Sequence, residues 1–146
     1  MSYLDTSFIV PLYLREATSE RVEAFLRTEP PGSLVVSRWV KVEFASTLAR
    51  NVRMKLQLAR NARMLMQHFD EDTQATFQLY TPSAADFTLA KELLLEAPML
   101  GLRGADALHL AAAKTQRLHL YTLDQPLLRA AEALGVSASD AGIGAS

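Results

Sequence analysis

Residues 33–48 read SLVVSRWVKVEFASTL. The first five residues form a compact β-branched run, which is typical of a buried strand. From Arg38 onward the apolar residues Val40, Phe44 and Leu48 recur at helical spacing, which predicts a helix that begins where the strand ends. A buried strand joined directly to a helix is the repeating unit of α/β proteins, so this stretch sets the expectation for the whole chain.

Short apolar runs and helical segments continue to alternate on both sides of residues 33–48. Besides that strand, the pattern predicts strands at residues 2–5, 77–80 and 118–122, and a short one that starts at Val136. It predicts helices that begin near Phe8, Ser19, Arg38, Leu56, Ser83, Gly104 and Pro126. This order predicts an α/β three-layer sandwich, in which helices flank a mostly parallel central sheet of four to five strands.

The length and composition are those of one globular domain. The chain has 146 residues, of which 49% are hydrophobic and 21% charged, and this excludes a disordered protein. It has no cysteine, which excludes disulfides, thiol nucleophiles and cysteine-bound metals. We expect a single domain over residues 1–146, with a helical arm at residues 38–69 and a flexible tail at residues 137–146, which are small and polar.

No segment predicts a membrane or secretory destination. No apolar run approaches the roughly 20 residues that a membrane span needs. Residues 1–5 lack the basic region and the long apolar run of a secretory signal. We therefore expect a cytoplasmic protein with no membrane partner.

Four acidic residues lie directly after predicted strands or on apolar helices, where an acidic side chain needs a structural or functional reason. Asp5 follows the first predicted strand, Asp124 follows the fourth, and Asp106 lies in the first turn of an apolar helix. Ligands of α/β proteins bind beyond the carboxyl ends of strands, so these acids are expected to converge there. Glu43 lies on the apolar stripe of its helix, where a carboxylate is costly unless it is paired or binds a metal. The alternative is structural, because an Asp can also cap a helix or oppose its dipole.

Crowded carboxylates repel one another, so a shared site favours a bound proton or cation. Oxygen-only ligands are typical of Mg²⁺ or Mn²⁺. A cation of this kind acts as a Lewis acid in the hydrolysis of phosphate esters. The residues therefore point to metal-dependent phosphoryl transfer to water, although they do not by themselves exclude a protein whose acids are caps.

The segments around the four acids resemble the acidic motifs of PIN-domain nucleases, and above all those of VapC-type toxins of type II toxin–antitoxin pairs. The segments are YLDTS at residues 3–7, SRWVKVE at 37–43, LRGADALHLAAA at 102–113 and YTLD at 121–124. Each motif alone is weak, but their order and spacing together are specific, and they span nearly the whole chain. A fifth acid that some members have after the last motif has no counterpart here, where Pro126, Leu127 and Leu128 stand.

The resemblance implies an Mg²⁺- or Mn²⁺-dependent endoribonuclease that hydrolyses RNA phosphodiesters. It implies that the catalytic and metal-binding residues are Asp5, Glu43, Asp106 and Asp124. It also implies supporting hydroxyl groups at Thr6, Ser7 and Thr122. The implied partners are the RNA substrate, a cognate antitoxin and a second copy of the chain in a homodimer.

Basic residues give a weaker prediction. Residues 38–63 carry seven basic side chains and a single acid, Glu43. This segment is either a surface for phosphate or an acidic partner, or a solvated helix face. Arg38 and Lys41, which flank Glu43, and Arg103, which precedes Asp106, are candidates for binding the substrate or the antitoxin.

Three other interpretations stay open. One is a PIN nuclease for RNA processing outside a toxin pair, and another is a non-catalytic binding module. An Asp-nucleophile phosphatase is disfavoured, because its second acid would stand at Ser7. His109 is expected to be a buried structural imidazole with one partner, since Mg²⁺ prefers oxygen ligands.

Overall fold

The computed structural model describes residues 1–144. The strands of the central sheet are β1 (Ser2–Leu4), β2 (Leu34–Ser37), β3 (Gln78–Tyr80), β4 (His119–Tyr121) and β5 (Ala138–Ser139). They form one five-stranded sheet in the order β3-β2-β1-β4-β5, and every pairing is parallel. The predicted α/β class and the parallel sheet are therefore confirmed.

Helices connect the strands and cover both faces of the sheet. They are α1 (Thr6–Tyr13), α2 (Ser19–Thr28), α3 (Arg38–Arg53), α4 (Ala59–Ala75), α5 (Ala84–Glu96), α6 (Gly104–Thr115) and α7 (Gln125–Ala133). A 3-10 turn at Pro98–Leu100 leads from α5 towards α6. Among these helices, none is both long enough and apolar enough to cross a membrane.

The three layers follow from the alternation of side chains along a strand. On β1, Tyr3 packs into the core beneath α5, α6 and α7, whereas its neighbour Leu4 packs into the core beneath α1 to α4. Successive strand residues point to opposite faces, so a strand that is apolar on both sides needs a helical layer on each. The central strand is thus buried on both faces.

Some element boundaries differ from the sequence prediction. Asp5 caps α1, which begins at Thr6 rather than near Phe8, and α4 begins at Ala59 rather than near Leu56. The break between α3 and α4 centres on Lys55, whose φ of 61° lies in the left-handed region and does not continue a helix. The last strand lies at Ala138–Ser139, just beyond the Val136 start that the apolar pattern indicated.

Up to residue 144, the segment predicted as a flexible tail, residues 137–146, makes contacts with the rest of the domain. β5 lies in this segment and pairs with β4, and the Ile143 side chain is buried in the core. Arg21 also donates a hydrogen bond of 2.9 Å to the Ile143 carbonyl. Backbone pairing does not depend on large side chains, so a small and polar segment is able to form these contacts. Residues 145 and 146 of the predicted tail lie outside the described residues.

Candidate active site

The four acids lie at the carboxyl edge of three neighbouring strands, β1, β2 and β4. Asp5 directly follows β1, and Asp124 lies in the turn after β4. Glu43 lies on α3, which begins where β2 ends. Asp106 lies in the first turn of α6, whose chain runs back to the amino end of β4. Parallel strands bring their carboxyl ends to the same edge, which is why residues so far apart in sequence meet.

Asp5 is the most buried of the four, with 3% of its surface exposed. It caps α1 through Oδ1, which accepts hydrogen bonds from the Ser7 amide at 3.0 Å, the Ser7 hydroxyl at 2.5 Å and the Phe8 amide at 3.4 Å. Its other oxygen, Oδ2, accepts one from Thr122 Oγ1 at 2.6 Å. Burial raises the pKa of Asp5, although the positive charge of His109 and these hydrogen bonds act in the opposite direction.

The hydroxyl groups around Asp5 also join two loops of the site. Ser7 Oγ accepts a hydrogen bond of 2.7 Å from the Leu123 amide, and Thr122 Oγ1 accepts one of 3.0 Å from the Asp124 amide. The turn after β4 is therefore tied to the start of α1. This connection fixes Asp124 relative to Asp5 without any direct contact between the two carboxylates.

Glu43 is held by two groups that bind the same oxygen. Thr6 Oγ1 donates a hydrogen bond of 2.6 Å to Glu43 Oε1, and His109 Nε2 is hydrogen-bonded to that atom as well. Burial by itself raises the pKa of Glu43. The hydrogen bonds from His109 and Thr6, together with the charges of His109 and Arg103, outweigh burial, so the pKa is lowered. A carboxylate on an apolar stripe is thus paired, as the sequence required.

Asp106 and Asp124 face a shared cavity of about 110 Å³, which Arg103 and Leu102 also line. Arg103 Nε donates a hydrogen bond of 3.2 Å to Asp106 Oδ2. Asp124 caps α7, because its Oδ1 accepts a hydrogen bond of 3.1 Å from the Leu127 amide. The pKa of Asp106 is raised by burial and by the charge of Asp124, against the opposite effect of Arg103.

Arg103 is the candidate basic residue that contacts the acids. Its pKa is raised by the hydrogen bond and charge of Asp106 and further by the charges of Asp124 and Glu43. One guanidinium therefore lies within electrostatic reach of three site carboxylates.

Arg38 and Lys41, the other two basic candidates, make different contacts. Arg38 Nε donates a hydrogen bond of 2.9 Å to Thr81 Oγ1, beyond β3. Lys41 forms an ion pair of 2.8 Å with Asp70 on α4, so it joins the two helices of the arm. Neither side chain is brought to the acids by these contacts.

A divalent cation fits the chemistry of this donor set. Within residues 1–144 no three acidic or imidazole side chains form a ready-made ligand cluster. Each of the four carboxylates is nevertheless anchored mainly through one oxygen and keeps acceptor capacity on the other. Three of those second oxygens, Glu43 Oε2, Asp106 Oδ1 and Asp124 Oδ2, accept no hydrogen bond from any described residue. Hard oxygen atoms left without protein donors are suitable ligands for Mg²⁺ or Mn²⁺.

A model of the PIN domain matches residues 2–133 of this chain, a span that includes all four acids. The chain belongs to the PIN domain family. Among the curated proteins, no match is found.

Solved structures share the fold of this PIN domain at low sequence identity. FitAcB from Neisseria gonorrhoeae is 20% identical, with a TM-score of 0.76 over 97% of this chain and 98% of that one. The Mycobacterium tuberculosis toxin VapC20, described as cleaving the sarcin–ricin loop, is 19% identical, with a TM-score of 0.71 over 89% and 95% of the two chains. VapBC2 from Rickettsia felis, bound to a promoter DNA fragment, is 15% identical, with a TM-score of 0.69 over 95% and 98%.

Sequence reasoning missed one part of the PIN domain site. His109 has two side-chain partners rather than the one expected, because its Nδ1 also shares a hydrogen bond of 2.7 Å with Tyr3 Oη. The position of Tyr3, two residues before Asp5 on a buried strand, was the available signal, because strand alternation sends these two side chains to the same face of the sheet. The pairing of the Tyr3 hydroxyl with His109 depends on how α6 docks on the sheet, which the sequence does not give.

Proposed function

We propose that this PIN domain is a divalent-metal-dependent endoribonuclease and the toxin of a type II toxin–antitoxin pair. The observation that carries the proposal is the common arrangement of its four acids. Asp5, Glu43, Asp106 and Asp124 come from four different segments, share one sheet edge, and each keeps an oxygen with spare acceptor capacity. Acids that served only as helix caps have no reason to share this arrangement.

In this proposal Asp5, Asp106 and Asp124 hold Mg²⁺ or Mn²⁺, and Glu43 either binds a cation or orients water. The bound cation supplies a Lewis acid that stabilises negative charge on an RNA phosphate and makes nearby water more acidic. Ser7 and Thr122 fix the orientation of Asp5, and Thr6 fixes that of Glu43. Arg103, which is largely exposed beside the acids, is placed to bind a phosphate of the RNA backbone.

The toxin assignment rests on the similar structures. Several of them are toxin–antitoxin proteins, including VapBC-1 from Haemophilus influenzae and a complex from Klebsiella pneumoniae. VapC20 is named as a toxin that cleaves an RNA loop. We extend to this chain an RNA substrate, a cognate antitoxin, a homodimer and a cytoplasmic location.

The helical arm offers a surface for the antitoxin. α3 and α4 enclose an open groove of about 620 Å³, lined mostly by apolar side chains such as Leu48, Val52 and Met66, with Arg63 among them. Met54 and Leu58 are exposed apolar side chains in the break between α3 and α4. Its charged lining residues are one base, Arg63, and one acid, Asp70, so the groove suits a mainly apolar segment of a partner.

One observation favours a non-catalytic binding module instead. Asp5 and Asp124 do cap α1 and α7, which is the structural role that this alternative gives them. The two functions differ in their response to metal. A module with structural acids gains no stability from Mn²⁺ and leaves RNA intact.

The test is sequencing of RNA ends after brief expression of the chain in a bacterial host, together with cleavage of purified RNA in Mg²⁺, in Mn²⁺ and in EDTA. We expect discrete new ends with the wild type, and none with Asp5→Asn or in EDTA. Asp86→Asn is the matched control, because Asp86 is an equally buried acid whose partners are Tyr80, Ser83 and Thr115. Identical RNA ends with the wild type and Asp5→Asn would contradict the proposal.

A further inference from the structure

Behind Glu43 lies a chain of buried hydrogen bonds that starts in the core. Tyr3 on β1 is buried, and its hydroxyl donates a hydrogen bond of 2.8 Å to Ser37 Oγ. The same hydroxyl shares a hydrogen bond of 2.7 Å with Nδ1 of His109, which is 2% exposed. The two rings meet edge to face with their centroids 5.7 Å apart, so the imidazole is held by packing as well as by polar contact.

The other end of this chain of hydrogen bonds is the site carboxylate. His109 Nε2 is hydrogen-bonded to Glu43 Oε1, and Thr6 Oγ1 donates to the same oxygen at 2.6 Å. Across residues 1–144, no donor reaches Glu43 Oε2. β1, α1, α3 and α6 thus combine to hold one oxygen of Glu43 and to leave the other free.

We propose that His109 is a positioning residue for Glu43, and that Tyr3 holds His109 in place for this task. The inference rests on the proposed function, because it assigns to Glu43 a cation or an attacking water as its partner. Glu43 has a long side chain with rotamer freedom, and anchoring one oxygen through two donors restricts where the free oxygen points. Partners that hydrogen-bond to a metal-binding carboxylate fix its orientation in this way.

The composition of α6 argues against a role in packing alone. The helix is buried along Ala107–Ala113, and every buried residue of that stretch except His109 is Ala or Leu. A buried imidazole costs free energy unless both ring nitrogens find partners, whereas a leucine at this position has no such cost. The two partners of His109 are a core tyrosine and a site acid, which connect the fold to the site.

Three substitutions separate positioning from packing. His109→Gln places an amide nitrogen near the position of Nε2 and keeps a donor for Glu43. His109→Asn places its amide near Nδ1, so it keeps the contact with Tyr3 and loses the one with Glu43. Tyr3→Phe keeps the aromatic ring in the core and removes only the hydroxyl that His109 contacts.

The measurements are the affinity for Mn²⁺ by calorimetry, kcat and KM on a defined RNA, and the thermal unfolding midpoint. We expect His109→Asn to lose about 10- to 100-fold in Mn²⁺ affinity or in kcat, which is the usual effect of removing a partner of a metal-binding group. KM is expected to change less, because exposed cations rather than Glu43 bind the RNA backbone. His109→Gln should recover most of the loss, and Tyr3→Phe should show a smaller loss of the same kind.

The outcomes distinguish this inference from the function on which it rests. If the wild type neither binds Mn²⁺ nor cleaves RNA, the proposed function fails and the positioning role fails with it. If the wild type does both, and His109→Asn equals His109→Gln in affinity and kcat, only the positioning role is overturned. Losses in all three variants that follow the unfolding midpoint would also overturn it, since packing alone explains them.

Discussion

Asp5 and Asp86 are two buried carboxylates at the starts of helices, and only one of them belongs to the site. Asp86 has no exposed surface, and Asp5 is 3% exposed. Asp86 is the third residue of α5 and forms a capping box with Ser83, in which its Oδ2 accepts a hydrogen bond of 2.8 Å from the Ser83 amide. Tyr80 also donates to Oδ2, and Thr115 donates to Oδ1, so both oxygens of Asp86 are engaged.

The pKa values of the two acids move in opposite directions. Burial raises the pKa of both, but the hydrogen bonds from Thr115, Tyr80 and Ser83 outweigh it in Asp86 and lower its pKa below the ordinary range. In Asp5 the donors gather on Oδ1, and burial prevails. Burial and capping therefore do not identify a site acid. The presence of other acids at the same sheet edge does, because Asp5 Oδ2 and Asp86 Oδ1 each accept one hydrogen bond and do not differ in this respect.

The largest expected effect is on catalysis. Asp5→Asn should lower metal-dependent RNA cleavage by at least about 10²-fold, the scale on which loss of one electrostatic group at an active site acts. Asp86→Asn, at equal folded concentration, should cleave RNA at close to the wild-type rate. The measurement is the initial rate on a defined RNA in Mn²⁺. Equal losses in both variants would remove the distinction between a site acid and a structural one.

The free energy of unfolding should depend more on Asp86 than on Asp5, the reverse of the order expected for catalysis. Asp86→Ala removes the capping-box acid and leaves Tyr80 and Thr115 without their acceptor, so it should cost about 2–4 kcal/mol of unfolding free energy. Urea denaturation of the protein in EDTA measures this change. Asp5→Asn keeps an acceptor oxygen for the amides of α1 and should cost less. A larger loss from Asp5→Asn than from Asp86→Ala would assign Asp5 the structural role.

Mn²⁺ should stabilise only the proteins that keep the site acids. At about 100 times its dissociation constant, Mn²⁺ should raise the unfolding free energy of the wild type by about 2.7 kcal/mol. Asp86→Asn should show the same gain, and Asp5→Asn or Asp106→Asn should show little or none. Thermal unfolding with increasing Mn²⁺ gives the comparison. A gain that survives in the Asp5 and Asp106 variants would place the ion elsewhere on the protein.

Elements set by local pattern were predictable from the sequence. The helix at Gly104–Thr115 is observed with its predicted bounds, and the strand that ends at Ser37 passes directly into α3 as its pattern indicated. The placement of the four acids near the carboxyl edge of the sheet was also predictable, because Asp5 and Asp124 follow strands and Glu43 and Asp106 lie in helices that begin near that edge. The capping role of Asp86 was readable as well, since Asp86 follows Ser83 at capping-box spacing.

Pairings between distant elements could not be predicted. Lys41 lies beside Glu43 in sequence, yet its ion pair with Asp70 depends on how α4 docks against α3. The contacts of His109 with Tyr3 and Glu43 likewise depend on the seating of α6 over the sheet. A single sequence carries hydrophobic periodicity and capping signals, but tertiary docking decides which long side chains meet.

The smallest expected effect is the pH dependence of stability without metal, and it should have opposite signs at the two acids. The pKa of Asp86 is below its ordinary value of 3.8, so its ionised form stabilises the fold above that pH, and this stabilisation is lost as the pH falls through the native pKa. The pKa of Asp5 is above the same ordinary value, so ionisation of Asp5 costs stability as the pH rises from about 4 to its native pKa. Urea denaturation between about pH 3 and 7 in EDTA should therefore show the deficit of Asp86→Asn shrinking towards acid. The stability of Asp5→Asn relative to the wild type should instead improve towards neutral pH, and parallel curves for the two variants would show that the two carboxylates share one environment.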